Sequence, residues 1–239
     1  MVARPSIFRP PQSGFTLTEL TIVLVIVALL TGGLVLSLTT TRDIASEKET
    51  QKQLSSISEA LLGFAVAQQR LPCPAAPNAT GVENPAGGAC TNPHDGFLPG
   101  ITLGLAPTDA QGYVLDAWGN RIRYAVTTAN ANAFTIPSGI KNAWSGGLAP
   151  DLRICNTAAG IAGGNCAANA SLSDTAAAVI FSTGRTGATG PLNVDEQANV
   201  TTTDRVFVSA NPGPNFDDLV TWLSPNILYN RLIAAGRLP

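Results

Sequence analysis

The chain has 239 residues with 14 basic and 16 acidic side chains, a formal net charge of −2, and a charged fraction of only 13%. No basic stripe marks a nucleic-acid-binding surface, and the low charge beside abundant Gly, Ala, Asn and Thr suits a packed, surface-exposed subunit better than a soluble cytosolic enzyme. The length allows one globular domain of ordinary size beyond an N-terminal segment.

Residues 1–14 carry Arg4 and Arg9 and no acid, so the remainder holds twelve basic and sixteen acidic residues. Glu19 is the only charged residue between Arg9 and Arg42, and it precedes an uncharged apolar run from Leu20 to Leu38. Counted from Phe15, and at about 1.5 Å per helical residue, this segment is long enough to cross a bilayer core of about 30 Å. The positive-inside bias leaves the N-terminus in the cytoplasm and everything after Leu38 outside. A lone carboxylate at the edge of such a span is costly to bury, which marks it as functional by default. The bland alternative is that Glu19 merely snorkels to the interface.

The run Gly14-Phe15-Thr16-Leu17-Thr18-Glu19 followed by an apolar helix resembles the class III signal of type IV prepilins and type II secretion pseudopilins. That resemblance implies cleavage between Gly14 and Phe15 by a prepilin peptidase that also N-methylates Phe15. It further implies a bacterial inner-membrane protein, single-pass, that joins other pilin or pseudopilin subunits through an assembly platform and ends in a pilus or periplasmic pseudopilus. Glu19 then pairs with the Phe15 amine of a neighbour, in a low-dielectric setting where opposite charges attract strongly. The expected organisation is a leader (1–14), a membrane-spanning half-helix (15–38), an amphipathic half-helix (39–70) and an outer domain (71–239).

No proline interrupts Phe15 through Leu71, and Ile44, Leu54, Ile57, Leu61 and Phe64 continue a helical pattern until Pro72 stops it. The stretch from Ser46 to Gln53 reads as an exposed polar neck supported by a Glu49–Lys52 pair. Gly32-Gly33 marks a place of lowered helix propensity. From Cys73 to Gly112 the chain reads as loop with a short helical turn. Strands are expected at Arg121–Thr127, with Ile122, Tyr124 and Val126 on one face, and at Ala133–Ile136, Ala176–Ser182, Arg205–Ser209 and Leu219–Leu223. Ser224 as N-cap, Pro225 at the first helical position and Gly236 beyond the end predict a short C-terminal helix. The fold class is α+β: a long N-terminal helix packed on a mainly antiparallel sheet, closed by that short helix.

Cys73, Cys90, Cys155 and Cys166 all lie on the side expected to be oxidising. Proximity favours Cys73 with Cys90 and Cys155 with Cys166, although four cysteines allow three pairings. Zinc is disfavoured, because there is no C-x-x-C and only one histidine, His94.

Asp116-Ala117-Trp118-Gly119-Asn120 resembles a segment of the major pseudopilins and reads as a structural turn. Ala178 to Gly184 and the loop that follows are similar to the strand and glycine-rich loop that binds calcium in that subfamily, with Asp195 and Glu196 as weak candidates for hard oxygen ligands. The aspartate-glycine pattern expected after the strand is replaced by Arg185-Thr186-Gly187. No cofactor is otherwise expected. No nucleophile elbow, zincin helix or phosphate-binding loop is present, so the chain reads as a structural subunit, a minor pilin or pseudopilin, and not an enzyme. Competing readings are a filament-tip adhesin or DNA-binding subunit, using Lys141, Trp144 and Arg153, and a tethered outer enzyme.

Overall fold

A computed structural model describes residues 14–190, 192–201 and 204–239, without the side chains of 31–41 and 201. The leader expected at residues 1–14 therefore lies outside the described residues except for Gly14. Two compact units separate, Met1–Ile44 and Ala45–Pro239. Helix α1 (Leu17–Gln68) contributes to each. In the first unit it runs through Gly32-Gly33, and the side chains of Leu20, Ile22, Val23 and Leu24 are exposed. The expected span passes into residues 31–41; among the described residues no helix is long and apolar enough to cross a membrane.

The second unit contains, in order, β1 (Gly96–Phe97), α2 (Gly100–Leu103), β2 (Arg123–Val126), α3 (Ala129–Asn132), α4 (Gly139–Ala143), β3 (Leu152–Cys155) and β4 (Ser171–Ala176). These are followed by β5 (Ala178–Ser182), α5 (Val194–Thr201), β6 (Val206–Val208), β7 (Leu219–Leu223) and α6 (Pro225–Ala234). An antiparallel sheet runs β1-β2-β5-β7, and a second sheet runs β4-β3-β6, in which β3 pairs antiparallel with β4 and parallel with β6.

The alternation of side chains along a strand explains how the first sheet serves two cores. Tyr124 and Val126 of β2, Ile180 of β5 and Leu219 and Leu223 of β7 join Leu54, Ile57, Leu61 and Ala65 of α1 and Leu228 and Leu232 of α6. Ala125, Val179 and Phe181, one residue out of step, join Leu152, Ile154 and Phe207 of the second sheet. Every residue of β5 is buried, so its sequence is a continuous apolar run closed by Ser182. Each large aliphatic side chain so buried contributes about 1.5–3 kcal/mol.

The helix, the strand at Arg121–Thr127, β5, β6, β7 and α6 lie where the sequence places them. Others do not. Ala133–Ile136 is a turn, not a strand: Asn130, Ala131 and Asn132 have positive φ, and the Thr135 amide closes onto the Asn132 carbonyl at 2.9 Å. Phe134 is nevertheless fully buried, and its carbonyl accepts the Leu71 amide, so the apolar residues of this segment anchor a turn. Phe64 is only half-buried, with the Arg70 guanidinium 5.1 Å above its ring, and Ala65 continues the core stripe in its place.

The stretch 46–53 is not a fully exposed neck. Thr50 is buried and its hydroxyl accepts the Ala117 amide, while the Gln53 side chain donates to the Leu115 carbonyl at 2.8 Å. Gln51 bonds Glu47, and the ion pairs among the described residues do not include Glu49 with Lys52.

Disulfides join Cys73 to Cys90 and Cys155 to Cys166. Glu83, inside the first loop, forms a buried two-pronged ion pair with Arg70 just before it, with both N···O distances 2.7 Å, and Glu83 also accepts the Cys73 amide. Removing one member of a buried pair strands the other charge. Glu83→Ala is expected to cost about 3–5 kcal/mol in denaturant unfolding of the purified chain; a loss below about 1 kcal/mol, the worth of an exposed pair, would contradict this packing.

Candidate functional site

Two places gather the residues singled out from the sequence, one in each unit. In the first, Gly14, Phe15 and Thr16 precede α1 in non-helical conformation, and Phe15 is 90% exposed. A Cβ added at Gly14 would meet nothing within 4 Å, so the fold itself places no demand for glycine there.

Thr16 and Glu19 form a reciprocal cap. The Thr16 hydroxyl accepts the Glu19 amide at 3.2 Å, and Glu19 Oε2 accepts both the Thr16 amide at 3.1 Å and the Thr16 hydroxyl at 3.0 Å. Thr-x-x-Glu is the residue pattern of a capping box, which satisfies amides left open at a helix start. Glu19 is thus bonded to its own helix terminus.

In the second unit the turn Asp116–Asn120 is structural. Asp116 Oδ1 accepts the amides of Trp118 and Asn120, and Oδ2 accepts the Ser182 hydroxyl at 2.5 Å. Asn120 reaches across to the Gly184 carbonyl, which fastens this turn to the loop after β5. Gly184 has φ +58°, and a side chain there would collide with the backbone and carboxylate of Asp217.

That close approach brings together a carboxylate cluster. One oxygen from each of Glu196, Asp217 and Asp218 lies within 4.8 Å of the others. Asn193 caps α5 by accepting the amides of Asp195 and Glu196, and Glu196 answers by accepting the Asn193 amide, a second capping box. Glu196 Oε1 also accepts the Asp217 amide, and Asp217 is held by the amide and hydroxyl of Thr186. Asp218 is 2% exposed; its Oδ2 accepts the Asn199 amide group at 2.8 Å, while Oδ1 is buried with no hydrogen-bond partner among the described residues. Burial pushes the Asp218 carboxyl up to about 7; the Asn199 bond opposes this shift, and the negative charges of Glu196 and Asp217 add to it.

Of the two acids named from the sequence, Glu196 belongs to this cluster. Asp195 does not: it accepts the Thr157 hydroxyl and the Ala158 amide and anchors the loop within the second disulfide. Asp217 and Asp218, further along the chain, were missed; the adjacent pair Asp217-Asp218 just before the apolar strand β7 was the available signal. Three carboxylates with one unpaired buried oxygen have the donor chemistry for a hard divalent cation such as calcium.

Two of the three side chains suggested for ligand capture are engaged elsewhere. Trp144 is half-buried and packs edge-to-face on Tyr229 with ring centroids 5.2 Å apart, and Arg153 pairs with Asp174 at 2.7 Å. Lys141 is exposed.

Neither a curated protein nor a solved structure matches the chain. A family model, the prokaryotic N-terminal methylation motif, matches residues 9–35, the stretch that contains Gly14, Phe15, Thr16 and Glu19. The chain carries the prokaryotic N-terminal methylation motif, the class III signal of type IV pilins and pseudopilins.

Proposed function

We propose that the protein is a pilin-like structural subunit, a minor pilin or pseudopilin, trimmed between Gly14 and Phe15, methylated at Phe15 and assembled through α1 into a filament. The observation that carries this reading is the methylation motif at residues 9–35, together with Glu19 as the only charged residue between Arg9 and Arg42, at the head of a helix whose side chains Leu20, Ile22, Val23 and Leu24 are exposed. Its partners are a prepilin peptidase and methyltransferase, other subunits, and an assembly platform in the inner membrane. The segment Leu20–Leu38 anchors the precursor in that membrane and packs against neighbouring helices in the filament. Glu19 pairs with the new amine at Phe15 of a neighbour, which fixes the axial register. The output is assembly, not chemistry, and the folded unit from Ala45 onward decorates the filament.

Gly14→Val leaves the fold untouched, because space at Gly14 is open. It is expected to yield uncut precursor, whereas the wild-type chain shows a mature N-terminus at methylated Phe15 by intact mass. Glu19→Ala is expected to be trimmed normally but incorporated about tenfold less, the effect of losing one charge-assisted bond. Filament yield equal to wild type from Glu19→Ala would overturn the register role.

A second reading, calcium at Glu196, Asp217 and Asp218, is favoured by the buried unpaired Oδ1 of Asp218. Bound there, the cation would neutralise three crowded acids and tie α5 to the start of β7. Without a cation the folded chain holds a proton on Asp218 that the unfolded chain has released, because the folded value lies near 7 and the ordinary one at 3.8. The contribution of Asp218 to stability in chelator is therefore fully present below the ordinary value of 3.8 and is lost as the pH climbs through about 7. Millimolar calcium is expected to raise the melting temperature at pH 7.5, and Asp218→Asn to abolish that rise. Identical melting curves with calcium and with chelator would remove the metal from the account.

A further inference from the structure

We infer that the outer edge of β7 is a docking site for an extended segment of a different subunit, which adds to the first sheet as a further strand. The inference rests on the reading that the chain assembles with other subunits, and it names the surface and the chemistry of one such contact.

A sheet edge offers unpaired amides and carbonyls, and proteins blunt it with charge, proline, a bulge or a cover. Among the described residues, three of the four edges are treated in this way. At β1, Ala75 and Phe97 exchange two backbone bonds, at 2.8 and 3.0 Å. At β6, the Asn199 side chain takes the place of a strand, donating to the Val208 carbonyl at 2.9 Å and accepting the Val208 amide at 2.7 Å. Strand β4 carries Asp174 and two shifts in its register with β3. Strand β7 has none of these devices: Leu219-Val220-Thr221-Trp222-Leu223 is uncharged, rich in strand-forming residues and in unbroken register with β5.

The Leu223 carbonyl accepts the Ala177 amide at 2.9 Å, so Leu223 faces β5. Backbone groups alternate in direction along an antiparallel strand, which leaves the amides and carbonyls of Val220 and Trp222 pointing away from β5. A groove of about 540 Å³ lies beside them. Side chains from both faces of β7 line it, so it follows the edge of the strand; Leu54, Ser58 and Leu62 of α1 and Ile227 of α6 form its other wall.

Charge selects the occupant. The charged side chains lining the groove are Glu59 and Asp218, both acids, and Glu59 is exposed, in a surface pair with Arg231 at 2.9 Å. A second copy brings to such a pairing either β4, with Asp174, or β7, with no charge. The complementary segment is extended, apolar where it meets Leu54 and Leu62, and carries a lysine or arginine for Glu59, so it belongs to a different subunit.

The test uses the full-length chain, labelled with nitrogen-15 in detergent micelles, and a short peptide of alternating valine and threonine that ends in lysine. The peptide is expected to slow hydrogen exchange at the Val220 and Trp222 amides. Methylating its alternate backbone nitrogens is expected to weaken binding about tenfold, through lost main-chain bonds. Ending it in glutamate is expected to weaken binding about threefold, and Glu59→Gln to erase that preference. In a bacterial host that trims and assembles prepilins, Val220→Pro, which deletes one outward amide, is expected to give the wild-type mature mass with about tenfold less incorporation into filaments; the peptide comparison does not depend on that variant folding. Equal binding of methylated and unmodified peptides, or no slowing at either amide, would overturn the inference even for a chain that enters filaments normally, as would full incorporation of Val220→Pro. Slowing of those amides with rising protein concentration and no peptide would give the edge to a second copy and overturn the choice of partner. The expected peptide binding in a chain that never enters filaments would instead remove the subunit reading and leave strand addition at β7 standing.

Discussion

A carboxylate at the head of an apolar helix has to be satisfied, because an unpaired charge beside so much hydrocarbon costs several kcal/mol even after relaxation. Glu19 meets this constraint locally, through the amide and hydroxyl of Thr16. The arrangement closes the open end of the helix and fixes the acid with one bond-accepting oxygen to spare. In the proposed filament, a residue that would be a liability in an isolated apolar helix becomes a charged, directional feature, the only charge between Arg9 and Arg42. Dispersion contacts between such helices tolerate sliding; a single charge pair does not. In the proposed filament, packing supplies the bulk of the attraction and Glu19 the choice of register.

The unit from Ala45 onward solves a different problem. Its loops from Cys73 to Gly112 and from Asn156 to Gly164 contain too few apolar residues to collapse by themselves, and each is closed or flanked by a disulfide. The first loop is also tied through Glu83 to Arg70 just ahead of it, whose guanidinium rests on Phe64. What holds the unit together is the central sheet, buried against α1 and α6 on one face and the small mixed sheet on the other. The turn at Asp116–Asn120 and the loop after β5 are joined through Ser182 and Gly184, and this junction continues through Asp217 to the carboxylate cluster.

The parts of the fold legible in the sequence are those where burial follows a regular period. Leu54, Ile57 and Leu61 repeat at helical spacing, Ile122, Tyr124 and Val126 alternate, and Pro225 and Gly236 bracket α6. Of the second sheet only β6 was legible; β3 and β4 were not. Strand β4 is Ser171-Leu172-Ser173-Asp174-Thr175-Ala176, largely exposed and without alternation, and it exists because β3 offers it a partner. Helix α5 has a polar first turn whose acids serve a cap and a loop anchor, so its composition resembles a loop. The turn at Ala133–Ile136 shows the opposite error: an apolar run long enough for a strand is consumed by positive-φ residues just before it. The methylation motif was readable because its signal is contiguous. The carboxylate cluster was half-readable, since Glu196 and the pair Asp217-Asp218 meet only after α5 and β6 have folded between them.

The most direct measurement is an intermolecular distance in assembled filaments, from subunits labelled with nitrogen-15 at the Phe15 amine mixed with subunits labelled with carbon-13 at the Glu19 carboxyl. Magnetisation transfer between the two labels, at a separation of about 4 Å as in an ordinary ion pair, is what the account predicts. Well-ordered mixed filaments that give no transfer between subunits would contradict it.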